Sequence, residues 1–266
     1  MSLDVLFNAL KTGDSVDIPP GWTQGRANYG GLVGALMYAR TEALLTRTLQ
    51  GEKRWLRSAT VSFVGPVATG PATVTAEILR AGKSVIQAEA RIVQNGEVVA
   101  VLLSSFGAAR ESAIRVPAEA APVFKAPDEC QALPFIPGVT PEFTQNIDFR
   151  WGHGDFPFTG SALPELGGWM RLKEARCDID FMDLFMLVDA WPPAILPMVK
   201  GPAPGSSMTW TLEPLYLPAG KTAHNWWQYQ AKTEFAADGY GNCAARIWDD
   251  EGRLVAISRQ TVVVFA

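Results

Sequence analysis

The sequence predicts an α+β chain made of two helix-on-antiparallel-sheet units fused in tandem. Three observations carry this. An order of one helix followed by four strands occurs twice along the chain. A Pro/Ala-rich connection separates the copies. The 266 residues are 48% hydrophobic and 19% charged, enough apolar material for a substantial core and unlike a disordered chain. The boundaries implied are 1–110 for the first unit, 111–143 for the connection and 144–266 for the second unit.

In the first unit, "YGGLVGALMYARTEALL" has helical periodicity and helix-forming composition. Four β-branched-rich stretches follow: "WLRSATVSFVGPV", "ATVTAEILRAGKS", "VIQAEARIVQNGEV" and "VAVLLSSFGA". Asn95-Gly96 is a hairpin signal between the last two. In the connection, Pro117, Pro122, Pro127, Pro134, Pro137 and Pro141 disfavour regular structure. The second unit opens on the helix candidate "DFMDLFMLVDAWPPAIL" and continues with "SSMTWTLEPLYL", "NWWQYQAKTEFAADGY", "GNCAARIWDDEG" and "RLVAISRQTVVVFA". The last strands align, "QNGEVVAVLLSSF" against "DEGRLVAISRQTV", which sets Gly96 on Gly252, Ala100 on Ala256 and Ser104 on Gln260. One helix per four or five antiparallel strands places the helix on one sheet face. The groove between the two helices is then the expected ligand site.

The formal charge of −4 gives no basic field for nucleic acid or anionic lipid, although a local basic pocket remains compatible with a small anionic ligand. Cys130, Cys177 and Cys243 are far apart without zinc-type spacing, as expected of reduced thiols and no metal site. Cys177 is expected to be inert. The N-terminus lacks the pattern of a signal peptide and no apolar stretch is long enough to span a bilayer. The expectation is a cytoplasmic protein. Exposed sheet edges in this architecture favour homo-oligomers.

Asp189 interrupts the apolar run that begins at Phe181, with two residues between it and Pro192-Pro193. Burying an unpartnered carboxylate costs several kcal/mol, so it either caps or kinks the helix, sits at the surface, or faces a groove where its charge is used. Gln260 shares a strand face with Ser258 and Val262; it reads equally as a solvent-facing edge residue. Gly30 and Gly31, after Tyr29, open the first helix with free N–H groups, or simply permit tight packing. "RAGKS" reads as a turn, with Lys83 within reach of a phosphate group or as a plain hairpin residue. No GxSxG elbow is present.

These motifs together resemble the acyl-CoA thioesterase II family of double-hotdog proteins. The likeness rests on "YGGLVGALMYA", the "VSF" strand, the "RAGKS" turn and the "NG" hairpin in the first half. In the second half it rests on "GGWMRLKE", "LFMLVDAWPPAIL", "SSMTWTLEPLY" and "AISRQTVV". It implies two fused hotdog units and cofactor-independent hydrolysis of acyl-CoA thioesters to free acid and CoA. The catalytic set it implies is an Asp on the second helix, a hydroxyl on the next strand and a Gln on the last: Asp189, Ser207 and Gln260. Ser206 and Thr209 are neighbouring candidates for the hydroxyl, Thr209 being expected on the same strand face as Ser207. Asp189 would act as base through a water held by Gln260 and Ser207. Tyr29, Gly30 and Gly31 would supply the oxyanion element, with Lys83 and Thr209 as further substrate contacts. The first helix carries no acid until Glu42, so one working site per chain is expected. A hotdog hydratase would need an Asp/His pair, which is not visible. A non-catalytic acyl-CoA binder could keep the same polar residues.

Overall fold

A computed structural model describes residues 2–50, 52, 54–174 and 178–265; Cys177 lies outside them. The chain opens on α1 (Leu3–Thr12), β1 (Ser15–Ile18) and the small ribbon β2 (Thr23–Gln24) and β3 (Ala27–Asn28). The long α2 (Gly30–Leu49) follows, then β4 (Trp55–Phe63), β5 (Gly70–Ala81), β6 (Val85–Gln94) and β7 (Glu97–Gly107). The second half contains β8 (Gln131–Leu133), β9 (Ile147–His153), β10 (Glu165–Leu172), α3 (Phe181–Val188), β11 (Gly205–Pro214), β12 (Trp227–Ala237), β13 (Tyr240–Trp248) and β14 (Leu254–Val264).

Twelve strands form one antiparallel sheet in the order β1-β5-β6-β7-β4-β11-β14-β13-β12-β10-β9-β8. The halves meet where β4 pairs with β11, Val61 opposite Trp210 and Ala59 opposite Leu212. That seam has the form of a two-fold axis. On one side Ala59 pairs with Ser104 of β7; on the other Trp210 pairs with Gln260 of β14. Ser104 and Gln260 therefore hold matching places, as the sequence alignment expects.

Both helices lie on the inner face. α2 is buried on nearly all sides, which suits its Ala, Leu and Met content and lack of a polar stripe. α3 runs antiparallel against it: Gly34 admits the Phe185 ring, and Tyr38 meets Phe181 at 5.6 Å between ring centroids. A Cβ at Gly34 would stand 2.6 Å from Phe185, so glycine is what permits this approach.

Three features differ from the sequence expectation. α3 ends at Val188 instead of running to Leu196, because Ala190 N–H turns back to Leu187 and Pro192-Pro193 cannot continue the ladder. The connection contains the edge strand β8, followed by a 3-10 turn at Glu142–Asn146. The rest of the connection is strapped to the outer face of the second half: Trp248 donates to Glu119 O at 3.1 Å and Trp169 to Lys125 O at 2.9 Å. Among the described residues, no helix is long and apolar enough to cross a membrane.

Candidate active site

Asp189 is the first residue beyond α3, at φ −90° and ψ 0°, rather than on the helix itself. Its carboxylate reaches across to the opening turn of α2. Gly31 N–H donates to it, and Gln260 Nε2 donates to Oδ1 at 2.5 Å. α2 has no side-chain cap of its own and no acid in its first turn. Asp189 thus supplies the missing cap from the other half of the chain, where the helix dipole favours negative charge.

Burial pushes the Asp189 carboxyl up to about 7, against the opposing pull of the Gly31 N–H and the Gln260 amide. An accessible edge nevertheless remains, because Asp189, Gly30, Phe63 and Gln260 are all partly exposed. The carboxylate is therefore desolvated and held by two donors, among residues that stay partly exposed.

The two glycines are tightly constrained. A Cβ at Gly30 would lie 2.6 Å from Asp189 Oδ2 and 2.8 Å from Phe63 Cζ. A Cβ at Gly31 would lie 2.3 Å from the Tyr29 hydroxyl and 2.8 Å from Phe185 O. No side chain fits at either place without displacing the carboxylate or the helix contact.

Gln260 points inward because it shares the face of Ser258 and Val262, opposite Trp210 on β11 and Cys243 on β13. Ser207 is opposite Val262, one inward position along from Gln260, and is half-buried. Its hydroxyl bonds neither Asp189 nor Gln260 among the described residues. The structure thus joins Asp189 and Gln260 directly and sets Ser207 one inward position along the sheet from Gln260.

Several expected substrate contacts are placed elsewhere. Thr209 is not on the face of Ser207: a β-bulge at Met208 inserts one residue, so Thr209 pairs with Thr261 and Ser62 and is exposed on the outer face. Tyr29 is fully buried, stacked on Phe143 at 4.3 Å, and its hydroxyl donates to Met186 O. It braces α2 against α3 and presents no surface to a ligand. Gly31 is at the site, but its N–H is taken by the carboxylate instead of standing free for a substrate oxygen. Lys83 is exposed in the β5–β6 turn, beside the Val85–Gly107–Trp55 end of the sheet. Phe63 is at the opposite end of β4, roughly 26 Å away at the usual strand rise.

The matching end of the second helix is built differently. α3 is capped by its own Asp180 and Asp183. Ser104 donates to Ala88 O, and Tyr38 lies 3.3 Å from Glu42. His153 pairs with Glu165, and His224 with Leu172 O. Phe63 is the one site residue not expected from sequence; its signal was the "VSF" motif, read there only as a strand.

Two family models match the chain. That of the acyl-CoA thioesterase N-terminal domain covers residues 18–107, and that of the acyl-CoA thioesterase C-terminal domain covers residues 127–264. A hotdog-fold protein of unknown function from Alicyclobacillus acidocaldarius is similar over 98% of both chains, with 22% identity and a TM-score of 0.82. A putative thioesterase II from Thermobifida fusca is 19% identical over 98% of this chain and 97% of its own, at a TM-score of 0.78. An acyl-CoA thioesterase II from Mycobacterium marinum is 19% identical over 88% of this chain and 90% of its own, at 0.69. At such identities the likeness establishes the hotdog fold, here present twice. No curated protein sequence matches the chain.

Proposed function

The chain belongs to the acyl-CoA thioesterase family, and from that premise we propose that it hydrolyses an acyl-CoA thioester with Asp189 as general base. The observation that carries this reading is the Asp189 carboxylate, drawn out of water yet held by Gln260 and by the first turn of α2.

The ionised carboxylate accepts a proton from a water, whose oxygen bonds to the thioester carbon. Gln260 fixes the carboxylate and, with the Ser207 hydroxyl, borders the place that water would occupy. The charge that develops on the carbonyl oxygen falls near the first turn of α2. There the N–H groups not taken by Asp189 have no acceptor within the helix. Collapse breaks the carbon–sulfur bond, and the proton held on Asp189 passes to sulfur, leaving free acid and CoA thiol. Burial serves the reaction by bringing the base near 7, where it is both ionisable and basic. One site per chain is expected: α2 and α3 cross at Gly34 and Phe185, which sets Tyr38 in the place matching Asp189, and neither Tyr38 nor Ser104 supplies an acid or a Gln.

The test is free-thiol release from acyl-CoAs of short, long and aromatic acyl groups, with wild type beside Asp189→Asn. Turnover that falls by at least about 100-fold in a folded variant supports the reading. An equally active variant refutes the role of Asp189, and binding without turnover on any substrate makes the protein an acyl-CoA binder.

A further inference from the structure

Trp248 of β13, Gln228 of β12 and Trp169 of β10 stand in one row across three neighbouring strands: Gln228 pairs with Trp248 on one side and with Trp169 on the other. Tyr229, next along β12, stacks on Trp191 at the inner face, so the row belongs to the outer face. Outward residues of a sheet normally meet water, yet Trp248 is 1% exposed and Gln228 3%. The connection covers them. Each of the three donates to one of its carbonyls: Trp248 Nε1 to Glu119 O, Gln228 Nε2 to Pro122 O and Trp169 Nε1 to Lys125 O.

Those acceptors are three residues apart, the repeat of a polyproline-II helix, which turns every third carbonyl to one side. Pro117, Pro122 and Pro127 favour that conformation. Among the described residues, the backbone of 117–125 bonds no other backbone group, as polyproline II requires. Side chains keep the same repeat: Ala121 and Phe124 are partly buried, whereas Ala120 and Val123 are exposed. Phe124 is the anchor. Its ring lies against Gly152 and Gly167, where a Cβ would stand 3.4 and 3.2 Å from it, and stacks on His153 at 6.0 Å between centroids. Arg246 adds an ion pair to Glu119 at 2.8 Å.

We propose that the Trp248–Gln228–Trp169 row is a peptide-binding groove that reads an extended, proline-rich segment, and that the connection fills it as a ligand held in cis. Aromatic-lined grooves capture separate proline-rich peptides by the same means, since such segments are already extended and lose little entropy on docking. Recognition of this kind does not depend on the covalent link. The tether keeps the connection at an effective concentration on the order of millimolar, which closes the groove to competitors while it stays seated. The groove is on the opposite face of the sheet from Asp189, so it stands independently of the hydrolase reading.

The experiment adds a fluorescein-labelled peptide of residues 115–127 to the full-length chain and follows anisotropy. Wild type is expected to bind it at least about 10-fold more weakly than Phe124→Asp, whose own connection has lost its anchor. Adding Trp248→Phe to that variant should weaken binding by about 5-fold or more, because the Glu119 carbonyl loses its donor. A peptide with glycine in place of Pro117, Pro122 and Pro127 should bind about 5-fold or more weakly than the native one. Binding no tighter in Phe124→Asp than in wild type, or indifferent to Trp248, overturns the groove. If Phe124→Asp does not fold, trypsin on wild type decides. Arg115 and Lys125 both have exposed side chains, but only Lys125 has its carbonyl held by the row. Cleavage after Lys125 should be at least about 10-fold slower than after Arg115 and should rise in Trp169→Phe. Equal rates at the two residues overturn the proposal.

Discussion

Replacing Asp189 by Asn should make the protein more stable while stopping its chemistry, and the gain in stability should grow with pH. An ordinary aspartate titrates near 3.8, and Asp189 is held at about 7. Below about pH 4 the group is neutral in folded and unfolded chains alike and contributes no penalty. Between about 4 and 7 the unfolded chain has given up its proton while the folded chain keeps it, so stability falls as pH rises. Above about 7 the full difference is in place, about 4 kcal/mol at 1.36 kcal/mol per pKa unit. Asparagine keeps the shape and an oxygen for the Gly31 N–H but has no charge to desolvate. The variant should exceed wild type by about 2 kcal/mol near pH 5.5 and by about 4 kcal/mol near pH 8.5. Urea unfolding of both proteins across that range measures the gap, with thiol release followed in parallel. A gap that does not widen with pH, or a variant less stable than wild type at pH 8.5, refutes the argument that burial holds this carboxyl high.

Three further outcomes are expected. Gln260→Ala removes the donor to Oδ1, so kcat should fall by roughly 100-fold and the acid limb of the pH–rate profile should move above about 7, since Gln260 favours the ionised form. Ser207→Ala should lower kcat by at least about 10-fold while Thr209→Ala stays within about 2-fold, because the Met208 bulge puts the two residues on opposite faces; steady-state kinetics of the pair decides it. Tyr29→Phe should cost about 1–3 kcal/mol in chemical denaturation by leaving Met186 O without its donor, with kcat/KM within about 3-fold of wild type.

The tandem α+β architecture was legible because period and order survive without three-dimensional information. The Ser104–Gln260 register follows from two glycine turns and a matching alternation. Asp189 was legible too, as the one charge between Leu184 and Met198. What sequence left open was where that charge goes. Gly30 and Gly31 read as donors awaiting a substrate oxygen, yet Gly31 serves a carboxylate 158 positions later, a pairing that only the antiparallel docking of α3 creates. Thr209 was assigned by strict alternation, which a single inserted residue reverses. Tyr29 carries a polar tip that suits a ligand as well as a buried carbonyl, and local sequence does not distinguish them. Phe63 went unread because an aromatic at the end of a strand is ordinary until its neighbours are known.

The seam between β4 and β11 has a consequence for how this molecule can change over time. Were the two units separate identical chains, every mutation at one copy of the site would appear at the other, and a residue would have to suit both settings at once. Joined in one chain, Ser104 and Gln260 occupy matching places but are separately encoded. One has settled into a backbone contact while the other donates to the Asp189 carboxylate. The fused chain can thus refine one pole of a symmetric body while the other is free to become scaffold, and an acid and a Gln introduced at the Tyr38 and Ser104 positions would give both poles the same polar pair.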